Sequence, residues 1–203
     1  MTTWKRLGDR GQAFPIYVIV VAGLLFAAFA FFVVGQASVT RSNAQRAADA
    51  AALAAALEAR DHLTPGLDLA ALQPQDWKKV LEGKFFYAQG ACVAAADFAA
   101  RNDATATCHP SVLSFEVEVR GNGTVGKSVI PGTEAMHGTA NATAVIEPRC
   151  HLGQTPPAEG APDKPPGPIK IECKGGKELA FDPLKPNPWR TLARSLFDVR
   201  LAD

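Results

Sequence analysis

Four cysteines are the residues whose type and spacing most clearly suggest chemistry: Cys92, Cys108, Cys150 and Cys173. All four follow a long apolar segment near the N-terminus, so an exported C-terminal part would carry them into an oxidising compartment. An even number of cysteines in that setting indicates two disulfides. Three pairings are open, and we favour Cys92–Cys108 with Cys150–Cys173. Each of these bonds closes a local loop, around a helix end or around a proline-rich segment.

A metal site is the alternative use of these sulfurs, because Cys108-His109 and Cys150-His151 are adjacent pairs. Neighbouring residues seldom bind one zinc ion, and no C-x-x-C or H-x-x-x-H spacing occurs. Glu116 and Glu118 could act as paired carboxylates, but the alternation around them is typical of a solvated strand face. The sequence contains neither G-x-S-x-G nor a P-loop. We therefore predict no enzyme, no cofactor and no metal.

The apolar segment Ala13–Val34 has 22 residues without a charge. A helix of that length is about 33 Å long, enough for a hydrocarbon core of about 30 Å. A cleaved signal peptide is the alternative, although its apolar core is usually shorter. Three basic residues precede the span and two follow it closely, which favours a cytoplasmic N-terminus. Gly23 and Ala27 form a small-xxx-small pair that would allow close helix contact in lipid.

An alanine-rich segment follows, in which 10 of the 16 residues from Ala44 to Ala59 are alanine. Alanine is the best helix former, so the membrane helix should continue to about Arg60 as one helix of nearly fifty residues. Two rows at spacing four make one smooth face. This face would cover the chain's own domain or, as a second option, contact another molecule. The rows are Ala44, Ala48, Ala52, Ala56 and Ala47, Ala51, Ala55, Ala59.

The remaining sequence predicts a small α+β domain. Helical spacing runs over residues 77–101, with Gly83 and Gly90 dividing or bending the helix. Residues 113–120 alternate as a strand, Gly121-Asn122-Gly123 reads as a turn, and residues 124–130 and 137–147 read as further strands. A proline-rich loop covers residues 151–168. A hairpin of residues 169–173 and 178–181 and a last helix over residues 188–197 complete the prediction.

These elements divide the chain into five predicted regions. They are a cytoplasmic N-terminus (1–12), a transmembrane helix (13–35), an Ala-rich stalk helix (36–61), a small α+β extracytoplasmic domain (62–149), and a C-terminal region with the Pro-rich loop, hairpin and helix (150–203). The formal net charge is +1, which argues against a nucleic-acid partner.

The first sixty residues resemble the TadE/TadG-like proteins of Flp pilus assembly, within the type IV pilin-like group. The resemblance lies in the segment DRGQAFP at Asp9–Pro15, the apolar run, and NAQRAADAAALAAA at residues 43–56. The last residues, from Trp189 to Asp203, also resemble tails of such proteins. The resemblance implies a pilin-like fold and a minor pilin or pseudopilin-like component that assists a Tad (Flp) pilus or secretion system. Implied partners are the lipid bilayer, pilins and the inner-membrane platform, with a homo- or hetero-oligomer through the N-terminal helix as an option.

One position departs from the pilin pattern. If prepilin peptidase cuts between Gly11 and Gln12, the glutamate usual five residues beyond the glycine is replaced by Ile16. The resemblance therefore fits a permanent anchor in the bacterial cytoplasmic membrane better than a subunit of a surface fibre. The alternative function is a membrane-tethered extracytoplasmic binding or adhesion module without a pilus role. Its recognition surface would be the proline-rich segment and hairpin between Cys150 and Cys173.

Overall fold

One long helix organises the chain in the computed structural model, which describes residues 13–126, 132–153, 168–182 and 189–202. Helix α1 runs from Ala13 to Asp61 over 49 residues, so the apolar segment and the Ala-rich segment form one continuous helix, as predicted. The proposed cleavage site at Gly11 and Gln12 lies outside the described residues. The same holds for most of the proline-rich loop and for most of the strand predicted at 124–130.

Two shorter helices follow where the sequence predicted one divided helix. Helix α2 is Pro74–Leu81 and helix α3 is Ala88–Arg101. Gly83 separates them at a φ of +74°, a left-handed conformation that glycine adopts without strain. Gly90 was predicted to divide or bend the helix as well, but it lies inside α3. Asn102 is the C-cap of α3, which ends where the sequence indicated.

A four-stranded antiparallel sheet packs against α1 and has the order β1-β2-β3-β7. Its strands are Ala104–Pro110 (β1), Ser114–Thr124 (β2), His137–Pro148 (β3) and Phe197–Leu201 (β7). β2 and β3 were predicted, whereas β1 and β7 were not. Helix α4, Trp189–Leu196, stops one residue before its predicted end because Phe197 already pairs with Pro148.

The predicted turn at Gly121-Asn122-Gly123 is wrong, because these residues continue strand β2. Gly121 pairs with Ala104 of β1, and the amide of Asn122 donates to the carbonyl of Asp103 at 2.8 Å. On the other side, the register between β2 and β3 shifts between Arg120 and Thr124. The three residues therefore form an irregularity of the β-bulge kind, in which a strand bends without reversing.

A second sheet of three short antiparallel strands has the order β4-β5-β6. Its strands are Cys150–Leu152 (β4), Ile169–Cys173 (β5) and Lys177–Phe181 (β6). The predicted hairpin is present as β5 and β6. The loop predicted from residue 151 is wrong at its start, because His151 and Leu152 belong to β4 and pair with β5. The ring of Phe181 lies 4.5 Å from that of Trp77, and both side chains are buried, so this sheet shares its core with helix α2.

Candidate functional site

The N-terminal half of helix α1 has an apolar surface that the rest of the chain leaves uncovered. The segment Phe14–Phe32 has a mean hydropathy of 2.5 with none of it buried, and it is long and apolar enough to cross a membrane. Phe26 is 78% exposed and Phe31 is 81% exposed. Gly23 and Ala27, the predicted helix-contact pair, also lie on this uncovered part. A Cβ atom added at Gly23 would meet nothing within 4 Å, so the space beside it is open.

The C-terminal half of α1 is buried by the chain's own domain. All eight alanines of the two predicted rows are at most 2% exposed. Helix α3 and strands β2 and β3 pack against this half. Small side chains allow that close approach, and a smooth alanine face fits the flat surface of a sheet. The Ala-rich face is therefore an intramolecular docking face.

Backbone contact between helix and sheet begins at Thr40, before the first buried alanine. A Cβ atom at Gly138 of β3 would lie 2.6 Å from the Thr40 carbonyl oxygen, so only glycine fits without a shift. One turn further along, the side-chain amide of Gln45 donates to the Asn141 carbonyl at 3.3 Å and to the Asp49 carboxylate at 2.8 Å. The helix is thus in contact with β3 from Thr40 onwards.

Helix α4 closes the C-terminal end of α1. The indole Nε1 of Trp189 donates a 2.9 Å hydrogen bond to the carbonyl of Arg60, one of the last carbonyls of the helix that lack a partner inside it. Asp61 binds Arg190 at 3.3 Å and Arg194 at 3.2 Å, and its side chain is only 10% exposed. The sequence gave no sign of this cluster, because the partners lie about 130 residues apart.

Both disulfides connect neighbouring elements of the domain. Cys92–Cys108 joins α3 to β1, and Cys150–Cys173 joins β4 to β5, which is the pairing favoured from the sequence. All four sulfurs are therefore used in covalent bonds and cannot bind a metal. Among the described residues, no group of three or more His, Cys, Asp and Glu side chains is arranged to hold a metal ion.

Glu116 and Glu118 point into solvent from β2, while Phe115, Val117 and Val119 point into the core. This alternation is the half-buried strand pattern. The two carboxylates line no enclosed cavity in the described part of the chain. A shallow, open groove touches Glu118 beside threonine and alanine side chains.

Two ion pairs fasten the edge strand β7. Arg200 donates to Glu147 of β3 at 2.6 Å, and Arg149 donates to Asp198 of β7 at 2.6 Å. The hydrogen bond from Arg200 lowers the pKa of Glu147 below its ordinary value. The hydrogen bond from Arg149 likewise lowers the pKa of Asp198. Both pairs are about half exposed, so each contributes modestly to stability.

Helix α1, with its uncovered half and its docked half, coincides with the segment that matches a protein-family model. Residues 11–61 match the family model described as putative Flp pilus-assembly TadE/G-like. The N-terminal segment of this chain is thus similar to that family. The match covers a quarter of the chain and ends at Asp61, the last residue of α1. No curated protein and no solved structure matches the chain. The TadE/G-like match supports a role in Tad pilus assembly.

Proposed function

We propose that this protein is a membrane-anchored, minor pilin-like or pseudopilin-like component that assists the assembly of a Tad (Flp) pilus or secretion system. The TadE/G-like match over residues 11–61 carries the proposal, because it coincides with helix α1, which both leaves the domain and organises it. The family model describes a pilus-assembly role. Such a role agrees with a chain in which half of a long helix is exposed.

The exposed half of α1 supports membrane anchoring. None of the segment Phe14–Phe32 is buried by the rest of the chain. If the protein were free in solution, many phenylalanine, valine and leucine side chains of this segment would be in water. Exposed apolar patches of that size mark an interaction site or a membrane contact. Since the segment also has the length of a bilayer core, the lipid hydrocarbon is the environment that fits it.

The basic residues and the cysteines support one orientation. Lys5, Arg6 and Arg10 precede the span and only Arg41 and Arg46 follow it closely, so the positive-inside rule favours a cytoplasmic N-terminus. In that orientation the domain lies outside the cytoplasm, where Cys92–Cys108 and Cys150–Cys173 can form and persist.

Residue 16 supports a permanent anchor over a fibre subunit. Ile16 is 62% exposed in the span and has no carboxylate to pair with the new amine of a neighbour after cleavage at Gly11. The partners we propose are the surrounding lipid and other Tad components. The latter would contact the open face at Gly23 and Ala27, where small side chains let a second helix approach.

A deletion strain tests the function, and a chimera refines the test. Deleting the protein should abolish surface fibres, counted by electron microscopy, while the membrane stays intact, and re-expression of the whole chain should restore them. The chimera replaces residues 14–34 with an unrelated apolar span of equal length. It should insert and fold but fail to restore fibres, because it lacks the open face of α1.

Normal fibres in the deletion strain would overturn the proposed function. Full restoration by a chimera whose level in the membrane fraction matches wild type would still be compatible with the anchoring role. It would refute the proposed contact between α1 and other Tad components. Disulfide formation in the chimera, measured by resistance to thiol alkylation before reduction, shows that its domain has folded.

A further inference from the structure

The end of the sheet where β2 passes into β3 lies beside the membrane-spanning part of α1. A crevice of about 810 Å³ is lined on one side by helix residues between Ala28 and Thr40 and on the other by Thr124 and Val125. The helical wall includes Phe31 and Phe32, which are 81% and 63% exposed and belong to the apolar span. The same crevice thus borders both the end of the sheet and residues that the proposed anchoring puts in lipid.

Direct contacts fix the height of this sheet end on the helix. Gly138 packs on the Thr40 carbonyl, His137 pairs with Thr124, and the Val125 amide donates to the Met136 carbonyl at 2.9 Å. Thr40 is six residues beyond Val34, the last residue of the charge-free run, which is about 9 Å along a helix. Each headgroup layer is about 5–8 Å thick, so Thr40 lies near its outer limit. A wall that extends from Thr40 to Ala28 therefore passes through the headgroup layer into the hydrocarbon.

The side chains at this end suit an interface. Met136 is 57% exposed and Val125 is partly exposed, and both are apolar. Both side chains also line a smaller crevice of about 350 Å³, together with polar residues that include Arg41, His137 and Thr139. Along α1 the lining thus changes from Phe31 and Phe32 to a mixture that includes Arg41, in the direction from acyl chain to headgroup. The apolar crevice is also continuous with the surface that lipid would cover around the span.

We propose that this end of the sheet, formed by Thr124, Val125 and Met136, is a second membrane contact, and that phospholipid of the surrounding bilayer fills the crevice between it and α1. The domain is then seated on the membrane surface in one orientation and does not stand away from it on a free helix. The contact is apolar in origin, so it needs no anionic lipid. This inference rests on the membrane anchoring proposed above.

Spin-label accessibility of the full chain in phosphatidylcholine bilayers tests the proposal. Single cysteines are introduced and labelled without reductant, so that the native disulfides stay closed. Met136→Cys and Val112→Cys are a matched pair, since these side chains are 57% and 58% exposed and lie near opposite ends of β2. Val125→Cys is a second probe of the contact, and Phe26→Cys reports on the span. Molecular oxygen, which enters lipid, and a water-soluble nickel chelate are the two relaxing agents.

Labels at residues 136 and 125 should be several-fold less accessible to the nickel chelate than the label at residue 112, and accessible to oxygen. If the labels at residues 136 and 112 are equally accessible to the nickel chelate while residue 26 lies in lipid, the second membrane contact is refuted. The membrane anchoring would be unaffected by that result. Shielding of residue 136 from both agents would put protein against this face and would also overturn the proposal. A nickel-accessible residue 26 would remove the anchor and the inference with it.

Discussion

A close approach of helix α1 to the sheet makes Gly138 an informative position for a stability measurement. An alanine there would place its Cβ 2.6 Å from the carbonyl oxygen of Thr40 and 3.1 Å from the carbonyl carbon. Those atoms belong to helix backbone, so they cannot rotate away as a flexible side chain would. The helix and strand β3 would have to separate by a few tenths of an ångström along a face of packed alanines.

The expected cost follows from two opposing effects. Overpacking a close contact of this kind costs about 1–3 kcal/mol. Replacing glycine by alanine also restricts the unfolded chain, which returns about 0.4–1 kcal/mol where the native backbone allows it. Gly138→Ala should therefore lower the free energy of unfolding by about 1–2 kcal/mol. Gly123→Ala is the matched control, because a Cβ there meets nothing within 4 Å. It should be neutral or slightly stabilising.

Urea unfolding of the full chain in a mild detergent provides the assay. Fluorescence of Trp77 and Trp189, which lie in the domain, reports the transition, and equal slopes in the variants allow the midpoints to be compared. A Gly138→Ala variant as stable as wild type, with Gly123→Ala behaving as expected, would refute the close helix–sheet contact at Thr40.

Three further predictions concern the docking face, the disulfides and the ion pairs. Ala52→Leu, at a position that is 0% exposed, should cost about 1–3 kcal/mol by overpacking in the same urea assay, whereas Ala28→Leu on the open span should cost little; equal effects would contradict the docking face. Opening either disulfide, which spans 16 or 23 residues, should cost about 3 kcal/mol by the loop-entropy estimate, and an unchanged midpoint in reductant would argue against this. The pKa of Glu147 is lowered by Arg200, so its contribution to stability is present above the unfolded-state pKa of about 4 and is lost as the pH falls through the lower folded-state pKa. Glu147→Gln should therefore weaken the loss of stability between pH 5 and pH 2, measured by urea midpoints; the same pH dependence in the variant would contradict it.

The parts of the fold that the sequence predicted are those with strong local signals. Helix α1 combines a charge-free apolar run with ten alanines in sixteen residues, and nothing breaks the helix before Pro65. Strand β2 alternates large apolar and charged residues, so its buried face could be read directly. The alanine rows of the docking face were visible for the same reason, since the helical period places them side by side.

The missed strands lack such signals. β1 reads ATATCHP, and its inward residues are small (Ala104, Ala106 and Cys108), so no hydrophobic alternation shows. β7 follows α4 without a break. Phe197 fits the helical pattern of α4 in the sequence, and only its pairing with Pro148 identifies it as the first residue of β7. Both strands form because they pair with β2 or β3 in the folded domain, and local propensity does not predict such pairing.

The geometry of the candidate site was only half predictable. The open span and the docked half could be separated by composition, but the contact of Gly138 with Thr40 depends on where β3 crosses the helix. The position of Val125 and Met136 beside Thr40 follows from the same crossing. The Asp61 cluster likewise joins residues that are distant in sequence, and only the docking of α4 brings them together.

We propose that helix α1 both anchors the chain and organises its disulfide-bonded domain. Intact mass of the protein from its native membrane fraction, with thiol alkylation before and after reduction, tests it most directly. We expect a mass that retains the span, with no alkylation until reduction exposes all four cysteines. A mass lacking the span, as after signal-peptide cleavage near residue 37, would show that α1 is not a permanent anchor, and cysteines that react before reduction would show that the disulfides are absent.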